Sequence, residues 1–339
     1  MMIRGTRQPG GIDRKRLIVV GALTVALLIA IGAGLYMAVQ RFEEGGGGGE
    51  EPRGDLGGRF QGPDMPVHDG QRYQARSGLT TLLFMGVDSA EEQSRADFLL
   101  LLVIDPKKEV ITPFEIDRDT LAEMPVAESP GNPAGTRTAP LGLAYGVGEG
   151  GKQGARHVAD AVSKLLLGVG IDHYMAINLD GVAVLNDLLG GVTVTLEDDF
   201  STLDPAMAKG ETLTLRGVQA ERYVWGRLGG GDEAGTPRMA RLKNYLGKAG
   251  AVTWKKLREN AGFMGTLFDG LAEILITDMT RGRMINMVFT SRNYLMAETV
   301  SLPGAYSARD DGSVAFHADE SALEQWVLEV FCEPAGGGQ

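Results

Sequence analysis

The chain is poor in the residues that build redox frameworks and transition-metal centres. It has a single cysteine, Cys332, among its 339 residues. An intrachain disulfide framework and a cysteine-rich metal site are excluded, and Cys332 reads as a packed thiol. Four histidines, His68, His157, His173 and His317, are scattered without metal-ligand spacing. That argues against a zinc enzyme or a histidine-triad hydrolase. Basic residues are also in deficit, at 33 Lys and Arg against 44 Asp and Glu for a net charge of −11. A general nucleic-acid binder needs the opposite balance. Hydrophobic residues nevertheless make up 43% of the chain. This is enough apolar material for one large domain or two ordinary ones.

Charge is missing in one long block. Residues 17–39 contain no charged side chain. At about 1.5 Å per residue, such a run crosses a hydrocarbon core of about 30 Å as a helix. Arg4, Arg7, Arg14, Lys15 and Arg16 precede it against Asp13 alone. This asymmetry keeps the amino terminus in the cytoplasm and exports the rest of the chain. A cleaved signal peptide has a shorter apolar core and a small-residue cut site; here the run ends in Gln40-Arg41-Phe42-Glu43. The expected organisation is a basic cytoplasmic tail (1–16), a transmembrane helix (17–39), a Gly-rich flexible linker (40–78) and an outer domain (79–335). The linker includes five consecutive glycines from Gly45 to Gly49. Its composition buries too little apolar surface to offset chain entropy. The protein is therefore expected at the cell membrane, single-pass, with its carboxy-terminal domain extracellular.

The outer domain begins with strand signals at 81–87, 98–104 and 110–116. Asp105-Pro106-Lys107-Lys108 forms a hairpin turn between the last two. Pro113 marks an edge or a bulge in the third. Continuous apolar runs point to a sheet covered on both faces. Between 152 and 167, Ala155, Val158, Ala159, Val162, Leu165 and Leu166 recur at helical spacing, and Gly168 and Gly170 end the helix. Further signals predict a strand at 173–179, a short helix at 182–189 and a strand at 192–196. Helices are expected next at 217–225 and 238–257. Two helices, short strands and a final helix complete the chain. Alternating elements of this kind give an α/β or α+β sandwich with helices on both sheet faces.

Three groups carry possible chemistry. Gly86-Val87-Asp88-Ser89 ends one strand and Arg95-Ala96-Asp97 opens the next. Asp117-Arg118-Asp119-Thr120 ends the third strand. Arg222, Arg227, Arg238 and Arg241 surround a Gly-rich loop from Gly229 to Gly235. Carboxylates at strand ends hold a hard cation such as magnesium through oxygen. Arginines grip phosphate oxygens with paired donors, and Arg238 and Arg241 share a helix face. Such a set suits a pyrophosphate substrate. Taken singly, an Asp that ends a strand is more often a turn or cap residue, and surface arginines are mostly solvated. Gly146-Val147-Gly148-Glu149-Gly150-Gly151 comes after no clear strand and is not read as a dinucleotide fingerprint.

The order of motifs resembles the LytR-CpsA-Psr family of cell-wall glycopolymer ligases. The resemblance runs from about Thr81 to Leu246, with a weaker match beyond. Its pieces are Leu82-Leu83-Phe84-Met85-Gly86-Val87-Asp88, Arg95-Ala96-Asp97, Arg118-Asp119-Thr120 and Ala144-Tyr145. Then come Ile171-Asp172-His173-Tyr174, Leu189-Gly190-Gly191-Val192, Leu215-Arg216-Gly217 with Ala220 and Tyr223, and Arg238-Met239-Ala240-Arg241.

The resemblance implies an α-β-α sandwich around a mixed central sheet. It implies a phosphotransferase that moves a glycopolymer from a polyprenyl-pyrophosphate carrier to a peptidoglycan hydroxyl, leaving a phosphodiester. Asp88 and Asp97 would hold Mg2+. Arg95 and Arg118 would act at the phosphate with Arg227, Arg238 and Arg241, and Tyr145 would line the substrate site. Asp119 would orient Arg118 or act near the metal or the acceptor hydroxyl.

The sequence departs from the family pattern at four places. Asp117 stands where a proline is usual, Gly142 where an asparagine is usual, Trp225 for a clamp arginine and Leu242 for a glutamine. These departures keep two alternatives open: a non-catalytic envelope binding or scaffold protein on the same fold, and a polyprenyl-pyrophosphate hydrolase.

Overall fold

The apolar runs between residues 80 and 116 form the centre of the molecule. The structure, a computed structural model, describes residues 67–68, 70–88, 94–129, 132–147, 150–178, 181–226, 236–260, 263–291, 294–309 and 313–335. The tail and transmembrane segment expected at 1–39, most of the linker, Arg227 and the glycines of the 229–235 loop lie outside them. Asp88 and Arg238 are described by backbone alone.

Strands β1 (Val67–His68) and β2 (Gln71–Ala75) come first, then β3 (Thr80–Asp88), β4 (Arg95–Asp105) and β5 (Val110–Ile116). A hairpin, β6 (Leu121–Ser129) and β7 (Asn132–Pro140), leads into a 3-10 helix (Leu141–Gly146) and helix α1 (Gly151–Leu165). Next are β8 (His173–Asn178), α2 (Gly181–Leu188), β9 (Thr193–Thr195) and β10 (Thr212–Thr214). Helices α3 (Val218–Trp225), α4 (Thr236–Glu259) and α5 (Phe263–Leu271) precede β11 (Leu275–Thr277) and α6 (Arg281–Ser291). The chain continues through β12 (Leu295–Met296), β13 (Val300–Ser301), β14 (Gly304–Ala308), β15 (Val314–Ala318), α7 (Glu320–Phe331) and β16 (Cys332–Pro334).

The central sheet runs β11-β8-β3-β4-β5-β12, and β13 also pairs with β5. β3, β4 and β5 are antiparallel neighbours, while β8 lies parallel to β3, so the sheet is mixed. Alternation splits its side chains between two cores. Leu82, Phe84, Phe98, Leu100 and Leu102 pack with Leu185 of α2, Val224 of α3 and Tyr245 of α4. Leu83, Met85, Leu99, Leu101 and Val103 pack with Val158 and Val162 of α1 and with Leu323 and Trp326 of α7. Helices therefore cover both faces, which is why the strands read as unbroken apolar runs. Leu101 has no exposed surface; truncating such a leucine to alanine costs about 2–5 kcal/mol.

Local chemistry sets the element ends. The Asp105 carboxylate accepts from the amides of Lys107 and Lys108, both at 3.0 Å, and Glu109 takes the left-handed conformation at φ 53°. This is the expected turn between β4 and β5. Pro113 lies opposite Leu102 in an unbroken ladder; on its other side it faces the interval between β12 and β13. β5 is therefore an inner strand, and its missing N–H falls where the neighbouring strand is interrupted. At the far end of the sheet, Asp172 accepts from the Thr81 amide at 2.8 Å, and the Thr81 hydroxyl accepts from the Asp172 amide at 2.8 Å. This exchange sets β8 beside β3.

Part of the stretch read as linker is structured. β2 pairs antiparallel with β16, and Arg76 donates to the carbonyls of Cys332 and Glu329, both at 2.8 Å. The folded body thus begins ahead of Leu79. Cys332 is buried, and burial pushes its thiol pKa up.

Candidate phosphate site at the sheet edge

One end of the central sheet gathers the acidic and basic residues. β3 ends at Asp88, β4 begins at Arg95 in register with it, and β5 ends at Ile116 opposite Leu99. A β-bulge interrupts the β3–β4 ladder between Gly86 and Val87, so Gly86 faces Phe98 while Val87 faces Ala96. Asp97 is the residue passed over. Bulges redirect side chains, and here Asp97 is buried at 7% exposure.

The chain leaves β5 in a tight turn. The Thr120 amide donates to the Asp117 carbonyl at 3.0 Å, and the Asp117 carboxylate accepts from the Asp119 amide at 2.8 Å. Asp is favoured at the first position of such a turn because its side chain bonds the backbone two residues on. Arg118 therefore projects from a doubly tied turn. It donates to the Asp97 carboxylate, and its Nε lies 3.7 Å from Asp119. Its carbonyl accepts from the Gly142 amide at 2.8 Å. A Cβ at position 142 would lie 2.6 Å from the Ala96 carbonyl oxygen and 3.3 Å from the Arg118 Cβ. Gly142 is thus where the 3-10 helix touches both strand ends, and there is no room for an asparagine side chain.

Charge here is unbalanced. Asp97, Asp117 and Asp119 face Arg118, with Arg95 close enough to act on Asp119. Burial works against the Arg118 charge, yet Asp97 and Asp119 outweigh it and its pKa rises. Burial raises the Asp119 carboxyl; Arg118 opposes and Asp117 adds to the rise. Arg95 itself is exposed.

Arg241 serves a different place. It is buried, with Nε donating to the Tyr223 carbonyl at 2.8 Å and a terminal nitrogen to the Gly226 carbonyl at 2.8 Å. The other terminal nitrogen meets Asp198 at 3.1 Å, and the guanidinium lies 5.3 Å from the centre of the Phe200 ring. Arg241 therefore closes the carboxyl end of α3, whose last carbonyls lack helical partners. Its described partners belong to α3 and the 198–200 segment, not to the Asp97–Arg118 group.

Tyr145 is also buried, at 1% exposure, and its hydroxyl accepts from the Gly151 amide at 3.1 Å. A Cβ at Gly154 would lie 2.2 Å from the Tyr145 carbonyl oxygen. In this structure Tyr145 seats α1 against the 3-10 helix. Leu242 lies in the core beside α3 and α5 residues, and Trp225 packs partly buried against the same core.

Carboxylate oxygens are the donor type that a hard cation takes. Asp97 and Asp119 offer carboxylate oxygens, and Asp88 ends the adjacent strand. Among the described residues no three metal-binding side chains come together. Mg2+ commonly takes one or two carboxylates and completes its shell with water and substrate phosphate. The excess of carboxylate over arginine suits that arrangement.

A residue without a local sequence signal completes the site. The Tyr306 hydroxyl of β14 donates to Asp117 from 189 positions away.

Comparison with known proteins then decides the family. The sequence model of the LytR_cpsA_psr family matches residues 62–329. The chain belongs to the LytR-CpsA-Psr family. Its similarity to the polyisoprenyl-teichoic acid–peptidoglycan teichoic acid transferase TagU of Halalkalibacterium halodurans is 32% identity over 213 residues, 61% of each chain. A crystal structure of protein gbs0355 from Streptococcus agalactiae superposes with a TM-score of 0.58 at 22% identity, covering 76% of this chain and 91% of the other. TagT bound to LI-WTA gives a TM-score of 0.55 at 19% identity, covering 74% and 89%. Both superpositions show a shared fold around a mixed central sheet.

Proposed function

We propose that this LytR-CpsA-Psr protein is a phosphotransferase joining a polyprenyl-pyrophosphate-linked glycopolymer to a peptidoglycan hydroxyl. The observation that carries the reading is the Asp97–Arg118–Asp119 group, built on a bulge and a tied turn at one sheet end. It is supported by the similarity to TagU, whose name states a polyisoprenyl-teichoic acid donor and a peptidoglycan acceptor.

In this reading the acceptor oxygen attacks the phosphorus that carries the glycan. A new P–O bond forms, the bond to the bridging oxygen breaks, and polyprenyl phosphate leaves. Arg118 neutralises charge building on the phosphoryl oxygens, with Asp97 and Asp119 fixing its direction. Arg95 would add a donor, and Arg227 and Arg238 would do so as the family resemblance implies. Asp119, already raised by burial, would receive the hydroxyl proton. Mg2+, held by Asp97 and Asp88, would supply further charge neutralisation when bound. The uncharged segment at 17–39 would hold the domain at the membrane surface where a lipid-linked donor lies.

The test is transfer by the full chain from a polyprenyl-pyrophosphate-linked glycan to peptidoglycan, with Mg2+ present and chelated. Asp97→Ala and Arg118→Ala are each expected to lower turnover about 10²–10³-fold. Unchanged turnover in both would sink the assignment. The products separate transfer from hydrolysis, since water as acceptor releases a free glycan phosphate.

Binding without transfer is the second reading. It is favoured by Trp225 in place of a clamp arginine and by the engagement of Arg241 within the protein. Robust ligation by the natural chain would exclude it.

A further inference from the structure

We propose that the β14–β15 hairpin is a working part of the phosphate site and that Tyr306 is a positioning residue for Arg118. The inference rests on the phosphotransferase reading of the same site. Three contacts join the hairpin to the turn that carries Arg118. The Tyr306 hydroxyl donates to the Asp117 carboxylate. The Phe316 amide donates to the Asp119 carbonyl at 2.8 Å, and Thr120 bridges in parallel to Phe316. Every residue of the turn except Arg118 is thus held from the hairpin, and Arg118 is left to face Asp97.

The hairpin is itself knit for this task. β14 and β15 pair over their full lengths, from Gly304 opposite Ala318 to Ala308 opposite Val314. The Tyr306 and Phe316 rings meet edge to face at 5.0 Å. Ser307 and His317 are hydrogen-bonded at 2.8 Å beside them. A Cβ at Gly304 would lie 2.5 Å from the tip of the Phe316 ring. The same Cβ would lie 2.3 Å from the His317 carbonyl oxygen, so a side chain at position 304 would push against both the ring and the β15 backbone.

Asp117 links the two sides. One carboxylate oxygen closes the turn through the Asp119 amide, and the other takes the Tyr306 proton in a hydrogen bond. A free carboxylate beside a phosphate site would be drawn toward Arg118 or Arg95. With both oxygens engaged, Asp117 holds the turn and acts on the guanidinium only through its charge, behind Asp97 and Asp119.

Tyr306→Phe removes the hydroxyl and keeps the ring. Two readouts are needed, both on the full chain. Amide exchange of Asp119 and Thr120 reports the turn directly, because Asp117 accepts from both. Steady-state transfer reports its use. Tyr306→Phe is expected to speed exchange of these two amides about tenfold and to lower kcat about tenfold, with KM for the lipid-linked donor changed less than about twofold. Asp117→Asn combined with Tyr306→Phe should lose no more than the worse single variant, because both break one linkage.

Unchanged exchange in Tyr306→Phe overturns the positioning role, as do losses that multiply in the double variant. A wild-type chain that performs no transfer overturns the phosphotransferase reading, while the exchange result still decides whether Tyr306 holds the turn.

Discussion

Replacing Arg241 with alanine separates two roles that one arginine can play. A phosphate ligand would cost little to the folded chain when removed. The structure instead buries Arg241 and commits three of its donors to Tyr223, Gly226 and Asp198. Each charge-assisted bond to a backbone carbonyl contributes about 1.5–3 kcal/mol. The Asp198 pair adds less, because Asp198 is 39% exposed and water screens it. Removing the guanidinium also leaves the Tyr223 and Gly226 carbonyls without these donors. The expected loss is about 3–5 kcal/mol. For a domain of this size that lowers Tm by about 10 °C. Thermal unfolding by circular dichroism measures it. Arg241→Lys should fall between wild type and alanine, since one ammonium cannot reach three separate acceptors. If Arg241→Ala melted within about 2 °C of wild type and lost only pyrophosphate-lipid binding, the helix-end role would be refuted.

Three further outcomes rest on the same geometry. Gly142→Ala pushes a methyl to 2.6 Å from the Ala96 carbonyl; it should destabilise by about 1–3 kcal/mol and depress transfer together, as read by melting and turnover. Leu242→Gln places an amide in the core and should cost about 1–3 kcal/mol without any gain in phosphate binding, measured by denaturant titration and binding of the lipid-linked donor. Asp119→Asn tests the charge environment. The Asp119 carboxyl lies above its ordinary value of 3.8 chiefly through burial. The folded state then holds its proton more tightly, so wild-type stability falls as pH rises through the window above 3.8. Asp119→Asn escapes that loss. It should melt higher than wild type at neutral pH and equally below the ordinary carboxyl value. A larger advantage in acid than at neutrality would contradict the sign.

The fold was legible wherever a strand or helix carries its own signal. Strands β3, β4 and β5 announce themselves because both faces are covered, so nearly every position is apolar. Helix α1 shows its buried stripe, and Leu167 and Gly168 end it in left-handed conformations. The β6–β7 hairpin stayed hidden. Pro125, Pro133 and Gly135 interrupt its pattern, and among its described residues the apolar side chains in the core are Ala122, Met124 and Ala139.

The site divides in the same way. Asp97, Arg118 and Asp119 stand at strand ends, where position alone marks them, and the structure joins them. Arg241 shares their charged character, but spacing along a helix does not reveal that its partners are backbone carbonyls. Asp117 looked like a departure added beside an anion site, yet its two oxygens hold the turn. Tyr306 has no local motif at all, because its partner is 189 residues distant.

The pairing of β2 with β16 has a consequence for synthesis. Arg76 and Cys332 are 256 residues apart. At about 5–20 residues per second, a ribosome takes roughly 13–50 s to deliver the second partner after the first. Throughout that interval one edge of β2 stays open, and Arg76 lacks both carbonyls it later binds. The clasp therefore cannot close before residue 332 is made, and a chain halted short of it would carry an open strand edge into whatever compartment receives it.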